Sequence, residues 1–126
     1  MVAADFGDIG FIVLLAGPGL RGSDILLTQN VALLRYQGAS DEVIRKRTEQ
    51  LRQEYGVLDE FWVDEESRKA IIAISTSYLE KYTPEEIEMY GFTEAAVKQR
   101  ADILVTPWFR FFMRYDPASA LVKVGC

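Results

Sequence analysis

Hydrophobic positions change their period along this chain, and the change divides it. Ile9 to Ala16 is a continuous apolar run closed by Gly17-Pro18-Gly19, a pattern that predicts a strand buried on both faces, of the kind found inside a parallel sheet. From Ser23 onward the period is helical. Ser23 is placed to cap a first helix, Asp24 suits its first turn, and Gly38 is placed to end it after Gln37. Ile25, Leu26, Leu27, Val31, Leu33, Leu34 and Tyr36 cover more than one face, which predicts heavy burial against a sheet, another helix or a second chain. Ser40 with Asp41 and Glu42 opens a second helix whose stripe is narrow, Ile44, Leu51, Tyr55 and Leu58. Its charged side, with Arg45, Lys46, Arg47, Glu49, Gln50, Arg52 and Glu54, is expected to face solvent, and Gly56 to break or bend the helix.

The remaining pattern consists of shorter helices with strong punctuation. Asp64, Glu65 and Glu66 open a third helix with Ile71, Ile74, Tyr78 and Tyr82 on its buried side. Thr83-Pro84-Glu85-Glu86 is a capping box with proline at the first helical position, and Tyr82 with Ile87 occupies the staple positions. Gly91 closes that helix, and Thr93 caps the next, with Phe92 and Val97 at staple spacing. Thr106-Pro107 starts the aromatic segment Trp108 to Tyr115, and Asp116-Pro117 starts one more turn before Leu121 to Val124. That tail reads as a second candidate strand. The predicted fold class is mainly α, a multi-helix segment with one short core-type strand and a second at the far end. A buried-type strand without a sheet to enter predicts that the chain is part of a larger α/β protein.

Composition narrows the chemistry more than the fold. With 126 residues, 49% hydrophobic and 26% charged, the chain falls within globular usage and is long enough for a real core. The net charge is -5 and the basic residues are dispersed among acids, so no basic face offers itself to nucleic acid. There is no histidine, and the one cysteine is Cys126. Zinc sites, a Ser-His-acid triad and an internal disulfide therefore lack their parts. The first apolar run is far shorter than the roughly 20 residues a membrane span requires, and no cofactor is implied.

Two motifs carry possible chemistry. Gly17-x-Gly19-x-x-Gly22 matches the dinucleotide-binding spacing between a strand and a helix, but its second position is proline, which has no N–H to give a phosphate. The same glycines serve equally as a strand-to-helix turn or as a loop that lets backbone approach a ligand. Trp108 to Tyr115 suits an acyl or aromatic substrate pocket, and suits core or interface better.

Phe11-Ile-Val-Leu-Leu-Ala-Gly-Pro-Gly19, the following Leu26-Leu27-x-Gln29-Asn30, and Thr106-Pro-Trp-Phe-Arg-Phe-Phe-Met-Arg-Tyr-Asp-Pro117 resemble the middle of bacterial α/β-hydrolases. The resemblance is to serine esterases of the dienelactone-hydrolase-like or acyl-peptidase-like branch. It implies a core remnant at residues 1–22, a helical cap or lid at 23–117, and a run-in to the next core strand at 118–126. It places the catalytic serine, acid and histidine, and the usual oxyanion donors, outside this chain, so no catalytic residue is assigned and the chain alone is expected to be inert. It implies substrate-side lining by Gly17, Pro18, Gly19, Leu20, Trp108, Phe109 and Phe112. The implied partners are the remainder of the hydrolase, a small acyl or ester substrate, and a second copy when the segment is isolated. Any signal peptide would lie upstream, leaving cytoplasm and periplasm both open. The rival expectation is an independent helical dimerisation module without catalysis, and a third is a nucleotide-binding fragment using Gly17 to Gly22.

Overall fold

A computed structural model describes residues 19–60 and 63–124. The Ile9 to Ala16 run, Gly17 and Pro18 lie outside the described residues. Within these, the chain is helical throughout and contains no strand. The elements are α1 (Gly22–Tyr36), α2 (Asp41–Glu60), α3 (Asp64–Leu79), α4 (Pro84–Tyr90), α5 (Glu94–Leu104), α6 (Pro107–Arg114) and α7 (Ala118–Leu121).

The punctuation sets most of the boundaries. Gly38 and Gly91 adopt positive φ, 78° and 68°, in the left-handed region where a Cβ is costly. Thr83 Oγ1 accepts from Glu86 N–H at 3.2 Å while Glu86 Oε2 accepts from Thr83 N–H at 3.0 Å, a complete reciprocal capping box. Thr93 and Thr106 cap α5 and α6 by accepting from the Ala96 and Phe109 amides. The α1 start differs from expectation: the helix begins at Gly22 with Arg21 at the cap position and no side-chain cap. Asp116 accepts from the Ala118 amide, and α7 follows.

The second candidate strand is a helical turn. Val122, Lys123 and Val124 donate to the Ala118, Ala120 and Leu121 carbonyls at 3.1, 3.2 and 3.0 Å. Once Asp116 and Pro117 have started a turn, these local bonds satisfy the groups that a strand would leave for a neighbour.

Helix α2 touches α1, α3 and α6, and α3 packs in turn against α5. One core joins Leu34, Val43, Ile44, Tyr78, Tyr82 and Phe92. A second joins Val57, Leu58, Ile71, Ala101, Leu104 and Met113. Gly56 neither breaks nor ends α2, which continues to Glu60, because burial of Val57 and Leu58 on the following turn outweighs a glycine penalty of about 1 kcal/mol. The expected solvated face of α2 also needs correction: Gln50 and Glu54 are buried, at 1% and 0% exposure. Helix α1 is less covered than its leucines suggest, with Leu33 and Tyr36 exposed and Leu34 its buried apolar anchor.

Candidate functional site

The candidate site is built on α6, where each turn presents rings to two sides. Trp108 and Phe112 are four residues apart, and their rings stack at 5.7 Å with planes 3° apart. Phe109 meets both edge-on at 5.8 Å. The structure thus gathers three of the sequence-predicted lining residues into one cluster. Phe109 and Phe112 also pack against the second core, whereas Trp108 is 69% exposed and forms the open end of the row.

The row begins beside the point where the chain runs into α1. A Cβ on Gly22 would lie 2.3 Å from the Phe112 carbonyl oxygen and 2.8 Å from the Phe112 ring, so only glycine allows α1 this close to α6. Gly22 is therefore a packing contact at the first residue of α1; Gly17 and Pro18, the start of the dinucleotide-type spacing, lie outside the described residues. Arg21 Nη2 donates to the Arg114 carbonyl at 3.3 Å, satisfying one of the free acceptors at the α6 terminus. Gly19 faces the Leu121 side chain, 3.9 Å from the position its own Cβ would take. Leu20 is 59% exposed. The segments 19–22 and 112–121 consequently run side by side, with the Trp108 row next to them.

Arg110 seats α6 on the rest of the molecule. It is buried, and its guanidinium donates to the Leu58 carbonyl at 3.1 Å, Ser67 Oγ at 3.0 Å and Asp64 Oδ1 at 3.1 Å. One side chain thus joins the end of α2 to the start of α3. Arg114 adds an ion pair to Asp59 at 3.3 Å. Sequence reasoning did not single out the other side of α6, where the exposed rings of Phe111 and Tyr115 stack at 5.4 Å. With Pro107 they border a wide hollow of about 450 Å³. Their four-residue spacing was the available signal. A second hollow, of about 250 Å³, lies between α1, α2 and α6 and is lined by Asp24, Tyr55, Gly56, Met113 and Arg114 among others. Burial pushes the Tyr55 phenol above its ordinary range.

A polar network lies within the helical layer, away from the ring row. Glu54 accepts from Gln50 Nε2 at 2.7 Å and from Ser75 Oγ at 2.6 Å, and Arg100 donates to both of its carboxylate oxygens. Arg47 in turn donates to Gln50 Oε1 at 3.0 Å. Burial, and then repulsion from Arg100, bring the Arg47 guanidinium down to about 10. Among the described residues there is no group of three or more acidic, histidine or cysteine side chains placed to hold a metal, and no helix long and apolar enough to cross a membrane. The chain matches no family model, no curated protein and no solved structure.

Proposed function

We propose that this chain is the helical cap of a serine α/β-hydrolase, covering and shaping the site at which carboxylic esters or related acyl bonds are cleaved. The observation that supports it is the adjacency of segments 19–22 and 112–121, held by the Gly22 to Phe112 contact and the Arg21 to Arg114 hydrogen bond. A helical unit inserted between two strands of a host sheet must leave and rejoin that sheet at neighbouring points, and a unit with its ends together can be inserted without straining either part. The rings of Trp108, Phe109 and Phe112 sit beside that junction; in this reading the junction meets the host sheet at the carboxyl ends of its strands, the place where open α/β sheets bind ligands. In this reading the cap supplies apolar lining and excludes water, and the host supplies the nucleophile, the base and the oxyanion donors.

The test is the reading frame that surrounds this segment and the enzyme it encodes. The expected result is a Gly-x-Ser-x-Gly upstream and a histidine downstream. The encoded product should hydrolyse p-nitrophenyl acyl esters, and Trp108→Ala in it should raise KM more for long acyl chains than for acetyl. A frame without the serine elbow, whose product fails to react with a fluorophosphonate, refutes the reading. So does ester turnover by the 126-residue chain alone. The second reading is a helical dimerisation module, which the exposure of Leu33, Tyr36, Phe111 and Tyr115 favours. It requires sedimentation of the isolated chain as a dimer together with absence of the hydrolase elements from the frame.

A further inference from the structure

The Glu54 network carries an imbalance of charge, and a cavity opens onto it. Between α2, α5 and the Gly91 to Thr93 turn lies a cavity of about 130 Å³, lined by Arg47, Gln50, Phe92, Thr93, Val97 and Arg100 among others. Two guanidiniums border it, and among the described residues Glu54 is the single carboxylate bonded within the network. Glu54 is fully buried and both of its oxygens are engaged by Arg100. Arg47 reaches the network only through the neutral Gln50 amide, and its guanidinium lies 4.8 Å from the Phe92 ring centre. Arg100 Nε is buried with no hydrogen-bond acceptor among the described residues. The cluster therefore has one positive charge more than it has carboxylates, and at least one buried donor lacks an acceptor.

We propose that this cavity is a binding site for a short-chain monocarboxylate, with the carboxylate between Arg47 and Arg100 and its alkyl tail against Phe92 and Val97. A guanidinium presents paired N–H donors at the spacing of carboxylate oxygens. A single negative charge makes up the deficit, whereas a dianion would over-compensate it and bring excess charge close to Glu54. The apolar remainder of the wall favours a ligand with a hydrocarbon end over a bare inorganic oxyanion. A volume of about 130 Å³ suits a molecule the size of butyrate. The lowered affinity of Arg47 for its proton follows from the same arrangement, because burial and Arg100 disfavour its charge more than the shared Glu54 supports it. The site lies on the α2–α5 side of the molecule and does not include the Trp108 row, so it stands independently of the hydrolase reading.

The experiment is a titration of the full 126-residue chain with sodium butyrate against sodium chloride at equal ionic strength, followed by amide chemical shifts. Saturable shifts centred on Arg47, Phe92 to Val97 and Arg100 are expected, with Kd on the order of 1 mM for so small a ligand. Butyramide, of the same shape without the charge, should bind at least about tenfold more weakly, the loss of one charge-assisted pair. Arg47→Gln should lower butyrate affinity by about the same factor and remain folded by circular dichroism, since Arg100 still neutralises Glu54. An absent or unsaturable response to butyrate overturns the proposal. Equal binding of butyramide, undiminished binding by folded Arg47→Gln, or saturation by inorganic phosphate in place of butyrate does so as well.

Discussion

The approach of α1 to α6 at Gly22 makes a sharp prediction, because one added methyl group tests the junction on which the cap reading depends. In Gly22→Ala the new Cβ would meet the Phe112 carbonyl oxygen at 2.3 Å and its carbonyl carbon at 2.9 Å. The oxygen is about 1 Å inside the 3.4 Å at which ordinary contact begins, and both atoms are backbone, so no rotamer change relieves them. Forcing such a contact costs about 3 kcal/mol, the upper part of the usual range for overpacking. At this first helical position the propensity alanine gains over glycine returns at most about 1 kcal/mol, leaving a net loss of at least about 2 kcal/mol. Gly56 is the matched control: it is interior to α2, and a Cβ there would find nothing within 4 Å. Gly56→Ala should therefore stabilise by about 1 kcal/mol. The two substitutions, identical in chemistry, should differ by at least about 3 kcal/mol, or some 10–20 °C in midpoint for a domain of this size. Urea unfolding followed in parallel by far-ultraviolet circular dichroism and tryptophan fluorescence measures both. Equal stabilisation by the two alanines would show that α1 and α6 do not approach at Gly22 and would remove the support for adjacent ends.

Two further predictions concern buried polar groups. Arg100→Met leaves the fully buried Glu54 without its charge partner and should cost about 3–5 kcal/mol, whereas adding Glu54→Leu should recover part of that loss by removing the stranded carboxylate, with recovery limited because Gln50 and Ser75 lose their acceptor and Arg47 its nearby negative charge; additive losses in the denaturation cycle would refute this. The Tyr82 hydroxyl is buried without a hydrogen-bond partner among the described residues, so Tyr82→Phe should stabilise by about 1 kcal/mol. Burial pushes the Tyr82 phenol from 10.0 up to about 12, so the folded chain keeps a proton that the unfolded chain releases. Its contribution is complete below pH 10 and is lost as pH rises from about 10 to about 12. Arg47, lowered to about 10, acts in the opposite direction over an overlapping range, so the quantity to follow is the difference between wild type and Tyr82→Phe. Their stability gap should widen in favour of phenylalanine above pH 10, and a constant gap would contradict the assigned shift.

The readable part of the fold is the part whose causes are local. Thr83, Thr93 and Thr106 cap where their spacing to the next amides predicts, and Gly38 and Gly91 take the left-handed conformation after the helices they close. In each case the donor and acceptor are within a few residues, so the sequence pattern contains the whole interaction. Gln50 and Glu54 show the opposite case. On a helical wheel they lie with Val43 and Val57, beside the Leu51 and Leu58 stripe and opposite Arg45 and Arg52, so only their polar type argues for solvent. Their burial is made tolerable by Ser75 and Arg100, 21 and 46 residues beyond Glu54, and only tertiary packing brings those groups together.

The candidate site divides in the same way. Clustering of Trp108 with Phe112 follows from four-residue spacing on a helix that Thr106 and Pro107 start, and is legible in the residue order alone. Gly22 is not legible in that sense: its spacing from Gly19 suggests a phosphate loop, and its work is to let α1 touch the α6 backbone. Residue order alone contained the starts of α4, α5 and α6, the stops at Gly38 and Gly91, and the rings that share a turn, because hydrogen bonds and side-chain spacing within one helix depend on short-range geometry. Tertiary structure decided which charged residues are buried, that Leu33 and Tyr36 remain exposed, and that segments 19–22 and 112–121 lie together. Those outcomes depend on groups distant in sequence, and no local pattern contains both partners.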